Sequence, residues 1–196
     1  MAYLDLVYRR DADGTLHYLD AWTDNGGVVV HTGKVGHRGG VSLRRTGAKA
    51  GVTAKQVMDD VTSEAAEQGY APFPDDDRGW VVLQVWTATE DLSHPEDERM
   101  MSDMWDALDS HLRAFGVGEC DGNDVGGTPS NPAYHRGTVV NWFCPVVDAE
   151  AGVKALRGFT RAFHLGSNHV IGIRPRPDDD YTLAFSPRKS DTQFRL

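Results

Sequence analysis

Cationic side chains and glycines that could hold phosphate groups are concentrated in one acid-free stretch of the chain. From Asn25 to Met58 there is no Asp or Glu, and this stretch contains the run Gly33-Lys34-Val35-Gly36-His37-Arg38-Gly39-Gly40. Lysine and arginine neutralise phosphate charge, and glycines let a polynucleotide approach the backbone closely. The sequence therefore predicts a nucleic-acid-binding surface. Its candidate residues are Lys34, Arg38, Arg44, Arg45 and Lys49.

An ordinary solvated hairpin is the alternative interpretation of this stretch. In that case the glycines only shape a turn, and Arg44 and Arg45 belong to a solvent-exposed face. Charge patterning alone leaves both interpretations open.

Net charge is divided unevenly along the 196 residues, whose formal total is −9. Residues 1–73 carry eight Lys and Arg against nine Asp and Glu, whereas residues 74–196 carry twelve against twenty. A polyanion would therefore approach the N-terminal part. The acidic C-terminal part supports a second hypothesis, a protein-interaction or immunity-type module that binds a basic partner protein.

Oxygen-bearing side chains cluster where a long loop is expected, from Asp121 to Gly137. Asp121, Asn123 and Asp124 could ligate a hard cation, but position twelve of a calcium loop would fall on Pro132 instead of Glu. Asx turns explain these residues better, so no metal site is expected. A seventeen-residue loop exceeds what a connection needs, which indicates an interaction loop.

No catalytic constellation is apparent. The eight histidines follow no metal-binding or catalytic spacing, and no serine lies in a nucleophile elbow. Cys120 and Cys144 are too few for a disulfide framework and are expected to be reduced core residues. We therefore expect a non-enzymatic binding protein without cofactor, and an enzyme using a cleft beside the 121–137 loop is the remaining alternative.

A linker divides the chain into two expected domains. The run Ala71-Pro72-Phe73-Pro74-Asp75-Asp76-Asp77-Arg78-Gly79 combines two prolines, an acidic triplet and a glycine. The expected organisation is a first domain at 1–72, a linker at 73–79, a second domain at 80–186 and a flexible tail at 187–196. No signal peptide and no membrane-spanning apolar run is visible, so a cytoplasmic protein without membrane contact is expected.

The first domain should be a small antiparallel sheet with one helix across it. Alternation places Leu4, Leu6 and Tyr8 on one face of the first strand, and turns at Gly14 and Gly26 lead to three further strands. A helix should follow with a capping box. Its residues are Thr53 and Gln56 at the cap, Ala54, Val57, Met58, Val61 and Ala65 in the apolar stripe, and Gly69 at the stop.

The second domain should be α+β, with the order β-α-β-β-α-β plus one strand that is typical of a ferredoxin-like fold. Its first helix is expected to be capped by Ser93 and Glu96, and its second by Asp148. A short strand is expected to reach Cys120. The tryptophans at 86, 105 and 142 and the apolar position Phe163 should face the core.

The segment from Tyr3 to Tyr70 resembles the WGR family, named for a Trp-Gly-Arg signature and found in poly(ADP-ribose) polymerases and bacterial proteins. The signature region corresponds to Thr32-Gly33-Lys34-Val35-Gly36-His37-Arg38-Gly39, and the family's later helix ending in Gly-Tyr corresponds to the segment ending at Gly69-Tyr70. Thr32 replaces the tryptophan and Lys34 the arginine. The resemblance implies a WGR-like fold and DNA contact at ends or nicks, without the aromatic contact. The C-terminal half is vaguely similar to uncharacterised bacterial ferredoxin-like domains, which implies no activity.

Overall fold

The computed structural model of the protein describes residues 2–47, 51–87, 89, 92, 94–126 and 138–196. The chain forms two compact units. The first comprises Met1–Pro74 together with Ala114–Gly116, and the second comprises Asp75–Arg113 together with Val117–Leu196. Each unit has its own antiparallel sheet, of four and five strands. The expected α+β class is therefore confirmed.

Four consecutive strands form the sheet of the first unit in the order β1-β2-β3-β4. They are β1 (Tyr3–Arg10), β2 (Leu16–Asp24), β3 (Gly27–Lys34) and β4 (Gly40–Arg45). The turns β1–β2 and β2–β3 contain Gly14 and Gly26, both with φ near +90°. Glycine reaches this conformation without steric penalty, which is why these turns could be predicted.

A bulge in β1 overturns the predicted alternation of that strand. Leu4 is opposite Ala21 and Val7 is opposite Leu19, with a register shift between Leu4 and Val7. Leu4 and Val7 therefore share the apolar face, whereas Tyr8 is opposite Tyr18 on the other face. The prediction that Leu4, Leu6 and Tyr8 share one face was wrong, because an inserted residue reverses the alternation beyond it.

Helix α1 (Ala54–Glu67) packs on one face of this sheet, as predicted. Thr53 accepts a hydrogen bond from the Gln56 backbone, and the Gln56 side chain accepts one from the Thr53 N–H, so the capping box is present. Gly69 follows the helix with φ of +83°. The core contains Val57, Met58, Val61 and Ala65 of α1 with Leu19, Ala21, Val28 and Val30 of the sheet.

The described part of the second unit contains five strands and two helices. Their bounds are β5 (Gly79–Trp86), α2 (Pro95–Ala114), β6 (Gly122–Val125), β7 (Val139–Val146), α3 (Ala149–Ala162), β8 (His169–Arg174) and β9 (Thr182–Phe185). The strand order is β6-β7-β5-β8-β9, with every neighbouring pair antiparallel. A 3-10 turn, Asp75–Asp77, precedes β5. No described helix is long and apolar enough to cross a membrane.

The structure of the second unit differs from several of the local predictions made from the sequence. The strand expected before Cys120 lies after it, at Gly122–Val125, because its backbone pairs with β7 there. Trp86 and Trp142 are buried as predicted, but Trp105 and Phe163 are each 37 % exposed. Phe163 is the cap residue that follows α3. The Asp148 cap is confirmed by a 2.9 Å bond from the Ala151 N–H. The Ser93 cap lies outside the described residues.

The C-terminal segment belongs to the core instead of forming a flexible tail. Phe194 is buried with Val82, Trp86, Val139 and Val170 on one face of the sheet. The Gln84 side chain donates a 2.9 Å hydrogen bond to the Arg195 carbonyl. The prediction for residues 187–196 was wrong because polar residues around a single aromatic give no periodic signal, although that aromatic is what the sheet buries.

Cys120 and Cys144 are free and buried, as expected for structural thiols. The pKa of Cys144 is raised well above its ordinary value, mainly by burial and further by the neighbouring Cys120. A thiol of this kind is a poor nucleophile at neutral pH.

Candidate nucleic-acid interface

The β3–β4 hairpin carries four of the five predicted cationic residues. Lys34 is the last residue of β3, Arg38 lies in the turn, and Arg44 and Arg45 end β4, which is an edge strand of the sheet. The hairpin from Gly27 to Arg45 contains no Asp or Glu. Lys49 lies outside the described residues.

Arg44 and Arg45 face opposite sides of the sheet, because neighbouring residues alternate along a strand. Arg44 is paired with Val28, whose side chain is buried against α1, and its guanidinium makes two hydrogen bonds of 3.0 and 2.7 Å to the Glu64 carboxylate. These bonds raise the pKa of Arg44 and lower the pKa of Glu64. The charge of Arg44 is therefore already paired with the carboxylate of Glu64 on α1.

Lys34, Arg38 and Arg45 are exposed. Lys34 lies within electrostatic reach of Asp13, whose pKa is lowered mainly by hydrogen bonds from Thr15 and further by the Lys34 charge. Arg45 is paired with Gly27 on the face away from α1. These three cations are the part of the predicted surface that remains available to a ligand.

A buried polar row lies beneath the hairpin and was not expected from the sequence. The Tyr18 hydroxyl lies 3.2 Å from His31 Nε2, and His31 Nδ1 lies 2.8 Å from Asp20 Oδ1. Gly33 and Gly39 lie against Tyr18, and a Cβ at Gly33 would be 2.7 Å from the Tyr18 hydroxyl oxygen. Glycine is needed at Gly33 because the tyrosine occupies the space of a side chain.

Two glycine N–H groups of the glycine-rich turn already donate hydrogen bonds within the first unit. Gly36 has φ of +80°, and its N–H donates a 2.9 Å hydrogen bond to the Phe115 carbonyl. The Gly39 N–H donates to the Ala114 carbonyl at 3.1 Å, and the Tyr18 hydroxyl lies 3.0 Å from the same oxygen. The Gly36 and Gly39 amides are therefore not available to a phosphate, which leaves the exposed side chains of the hairpin as its candidate contacts.

Large apolar side chains form a row across the open face of the sheet, on the side away from α1. Cross-strand pairing joins Tyr3 to Trp22, Trp22 to Val29 and Val29 to Leu43. Tyr3 is 70 % exposed, Trp22 37 % and Leu43 50 %. Exposed apolar rows of this kind usually mark a binding surface. Sequence reasoning missed the row because it depends on the register of all four strands.

The predicted interaction residues of the second unit begin an edge strand instead of a loop. Asn123 and Asp124 lie in β6, and the Asp121 N–H donates to the Phe143 carbonyl of β7. Asp124 Oδ1 accepts a 2.8 Å hydrogen bond from Asn141, which also accepts one from Gln84. Asp124 therefore anchors the edge strand. Residues 127–137 of the predicted loop lie outside the described residues.

No group of three His, Cys, Asp or Glu side chains that could hold a metal occurs in the described part of the chain. The hairpin thus leaves Lys34, Arg38 and Arg45 as exposed cations, and of these Arg45 lies on the open, partly aromatic sheet face. Comparison with known proteins gives no match, since no family model, no curated protein and no solved structure matches this sequence.

Proposed function

We propose that the first unit binds nucleic acid through the exposed cations of the β3–β4 hairpin. The observation that carries this proposal is that the hairpin contains no acidic side chain and exposes Lys34, Arg38 and Arg45. Contacts from such side chains to phosphate account for most sequence-independent affinity. The resemblance of Tyr3–Tyr70 to the WGR family supports the same ligand class.

Single-stranded nucleic acid fits this surface better than a duplex end. Tyr3 and Trp22 are adjacent, exposed aromatics on the open face, which is also the face of Arg45. Stacked bases together with phosphate contacts are the usual basis of single-strand binding. Thr32 replaces the signature tryptophan of the WGR family and offers no stacking surface, which argues against recognition of DNA breaks by that turn.

The order of elements supports the two finer fold assignments. In the second unit the order β6-β7-β5-β8 places the first and third strands of the β-α-β-β-α-β series side by side at the centre, as a ferredoxin-like arrangement requires. In the first unit four sequential strands followed by α1 support the WGR-like arrangement. Both assignments are part of the proposal.

A salt titration with an unstructured oligonucleotide tests phosphate binding. Three contacts to a single strand give a slope of log affinity against log salt of about −2. The variant K34Q/R38Q/R45Q should bind weakly and lose most of that slope. The control variant R99Q/R176Q/K189Q removes three exposed cations of the second unit and should change the affinity and the slope little. R44Q should have a smaller effect than R45Q because Glu64 already neutralises Arg44.

Stacking is tested separately by comparing two exposed tryptophans. Because one stacked base contributes about 1–3 kcal/mol, Trp22→Ala should weaken oligonucleotide binding roughly tenfold. Trp105→Ala is the matched control, since Trp105 is equally exposed but lies in the second unit. Equal affinities for the two variants would remove the stacking role. Absence of binding by the unaltered protein at low salt would overturn the whole proposal.

A basic protein partner is the second candidate, and one arrangement favours it. The exposed triplets Asp75–Asp77 and Asp178–Asp180 lie at the same end of the second sheet, because Trp80 near the start of β5 pairs with Arg174 at the end of β8. A lysine-rich peptide should bind this end at low salt. Binding should be weakened by D76N/D77N/D178N/D180N and retained by D103N/D106N; equal weakening by both would contradict it.

A further inference from the structure

A cationic cavity lies in the second unit and is lined by none of the residues assigned above. It has a volume of about 410 Å³ and is formed by α3, the start of β8 and the end of β9. Its lining includes Arg157, Arg161, His164, His169 and Phe185. A volume of this order is typical of pockets for small molecules.

Positive charge converges on this cavity although residues 74–196 are acidic as a whole. Arg157 and Arg161 are one helical turn apart on α3, so their side chains project from the same face of the helix. None of the described residues that line the cavity is acidic. An adjoining cavity of about 510 Å³ shares Arg157 and is lined by both Lys154 and Glu150. The field in the first cavity, which has no acidic residue in its described lining, therefore favours an anion.

His169 lines the cavity as a buried residue whose ring nitrogens lack well-formed hydrogen bonds to the described part of the chain. The residue is only 4 % exposed, and neither ring nitrogen makes a hydrogen bond of ordinary geometry with a described residue, although the Gly166 backbone lies near enough to interact with the ring. The pKa of His169 is lowered mainly by burial and further by the charge of Arg188, whereas the Gly166 backbone raises it. Buried polar atoms are nearly always bonded, so an external partner is expected here.

Phe185 packs its ring against two side chains that line the cavity, Arg157 and His169. Its ring lies 4.5 Å below the Arg157 guanidinium carbon, and it stacks on the His169 ring with centroids 5.8 Å apart and planes inclined by 27°. Contacts of this kind reduce the freedom that a long cationic side chain would lose on binding. His164, at the cavity, has φ of +55° because it ends α3: its N–H bonds to the Arg161 carbonyl and the Leu165 N–H to the Thr160 carbonyl, the usual termination of a helix.

The geometry points to a small phosphorylated molecule as the ligand: we propose that a phosphate monoester binds with its phosphate between Arg157, Arg161 and His169 and its organic part near Phe185. Arginine forks match phosphate oxygens with two parallel hydrogen bonds. A phosphate dianion offers enough acceptor oxygens for two guanidiniums and a buried imidazole together, whereas a carboxylate offers two oxygens.

Isothermal titration of the full chain with phenyl phosphate, inorganic phosphate and benzoate tests this proposal. Phenyl phosphate should bind most tightly, inorganic phosphate more weakly, and benzoate at least about tenfold more weakly than phenyl phosphate, because it lacks the third oxygen. Benzoate binding equal to that of phenyl phosphate would overturn the assignment to phosphate. No binding of either phosphate at low salt would overturn the site.

Substitutions of cavity residues test whether phenyl phosphate binds in this cavity. R157Q/R161Q should weaken phenyl phosphate binding by more than about tenfold, and the charge-matched control R99Q/R176Q should not. His169→Phe keeps a ring to stack on Phe185 but removes both nitrogens, so it should stay folded and lose affinity. Equal affinities in R157Q/R161Q and its control, or full affinity in His169→Phe, would contradict the proposal. Because oligonucleotide binding is assigned to the first unit, the two proposals fail independently.

Discussion

Tyr18, His31 and Asp20 form a buried row on the face of the first sheet that lies away from α1. The hydroxyl of Tyr18 lies 3.0 Å from the Ala114 carbonyl and 3.2 Å from His31 Nε2. The pKa of Tyr18 is raised to about 12, mainly by burial and further by the negative charge of Asp20. The phenol therefore stays neutral over the whole physiological range, and its role is structural.

Replacing Tyr18 by phenylalanine should lower the free energy of unfolding by about 1–2 kcal/mol, because buried partners lose a hydrogen bond. The difference should shrink as pH rises from 10 towards 12. In that range the unfolded chain ionises first, so the wild-type protein loses stability that the variant never had. Urea denaturation measures both effects, with Tyr3→Phe as the control because Tyr3 is exposed. Identical values for the two variants would contradict a structural role for the hydroxyl.

Replacing His169 by phenylalanine should raise stability in phosphate-free buffer by about 1–2 kcal/mol, since it removes two buried ring nitrogens that lack well-formed hydrogen bonds to described residues. The lowered pKa means that the unfolded chain takes up the proton first as pH falls below 6.5. Wild-type stability should therefore fall with pH in that range. The charges that face the ring are those of Arg188, Arg157 and Arg161, with His164 beside them.

Thermal unfolding between pH 5 and 8 measures this pH dependence. The control variant is His164→Phe, at an exposed position, which should keep the wild-type slope. Parallel pH profiles for wild type and His169→Phe would show that the imidazole is not the source of the slope.

Among the elements, the C-terminal segment stabilises the second sheet through one aromatic. Phe194 lies against Gly172, and the carbonyl of Arg195 accepts a bond from the Gln84 side chain. Phe194→Ala should cost about 3 kcal/mol, because it leaves a cavity on the sheet. Chemical denaturation tests this, and Leu196→Ala, at an exposed neighbour, should be nearly neutral. An effect of Phe194→Ala as small as that of Leu196→Ala would mean that the segment contributes little.

Structural features that depend on residues close together in the sequence were predicted. Features that depend on contacts between residues far apart in the sequence were not. The α1 capping box, the Asp148 cap and the glycine turns depend on residues within a few positions of one another. The β1 bulge, the exposure of Trp105 and the packing of Phe194 depend on what lies opposite in space. No spacing in one sequence contains that information.

The candidate site shows the same division. The absence of acids between Asn25 and Met58 predicted the cationic hairpin from the sequence alone. The pairing of Arg44 with Glu64 could not be predicted, because α1 must first be placed on the sheet. The phosphate cavity gave no signal, since Arg157, His169 and Phe185 come from three separate elements. Helical spacing on α3 predicted only that its apolar residues face inward.

At the scale of the whole molecule, each unit has a core of its own. Met58 is buried in the first unit and Leu156 in the second. Met58→Ala should lower stability by about 2–3 kcal/mol and speed hydrogen exchange mainly in β2 and β3, whereas Leu156→Ala should act mainly on β5 and β8. Exchange measured by NMR separates the two patterns. Equal acceleration in both sheets by either variant would show a single cooperative unit.

The carbonyls of Ala114 and Phe115 that cap the glycine turn have a practical consequence for anyone isolating the N-terminal module. A fragment ending at Pro74 would lack both acceptors and would uncover the ring of Tyr18. Such a fragment would gain free backbone donors beside Lys34 and Arg38. Its affinity for polyanions could then exceed that of the full chain for reasons unrelated to biology, so binding measured on the isolated piece would mislead.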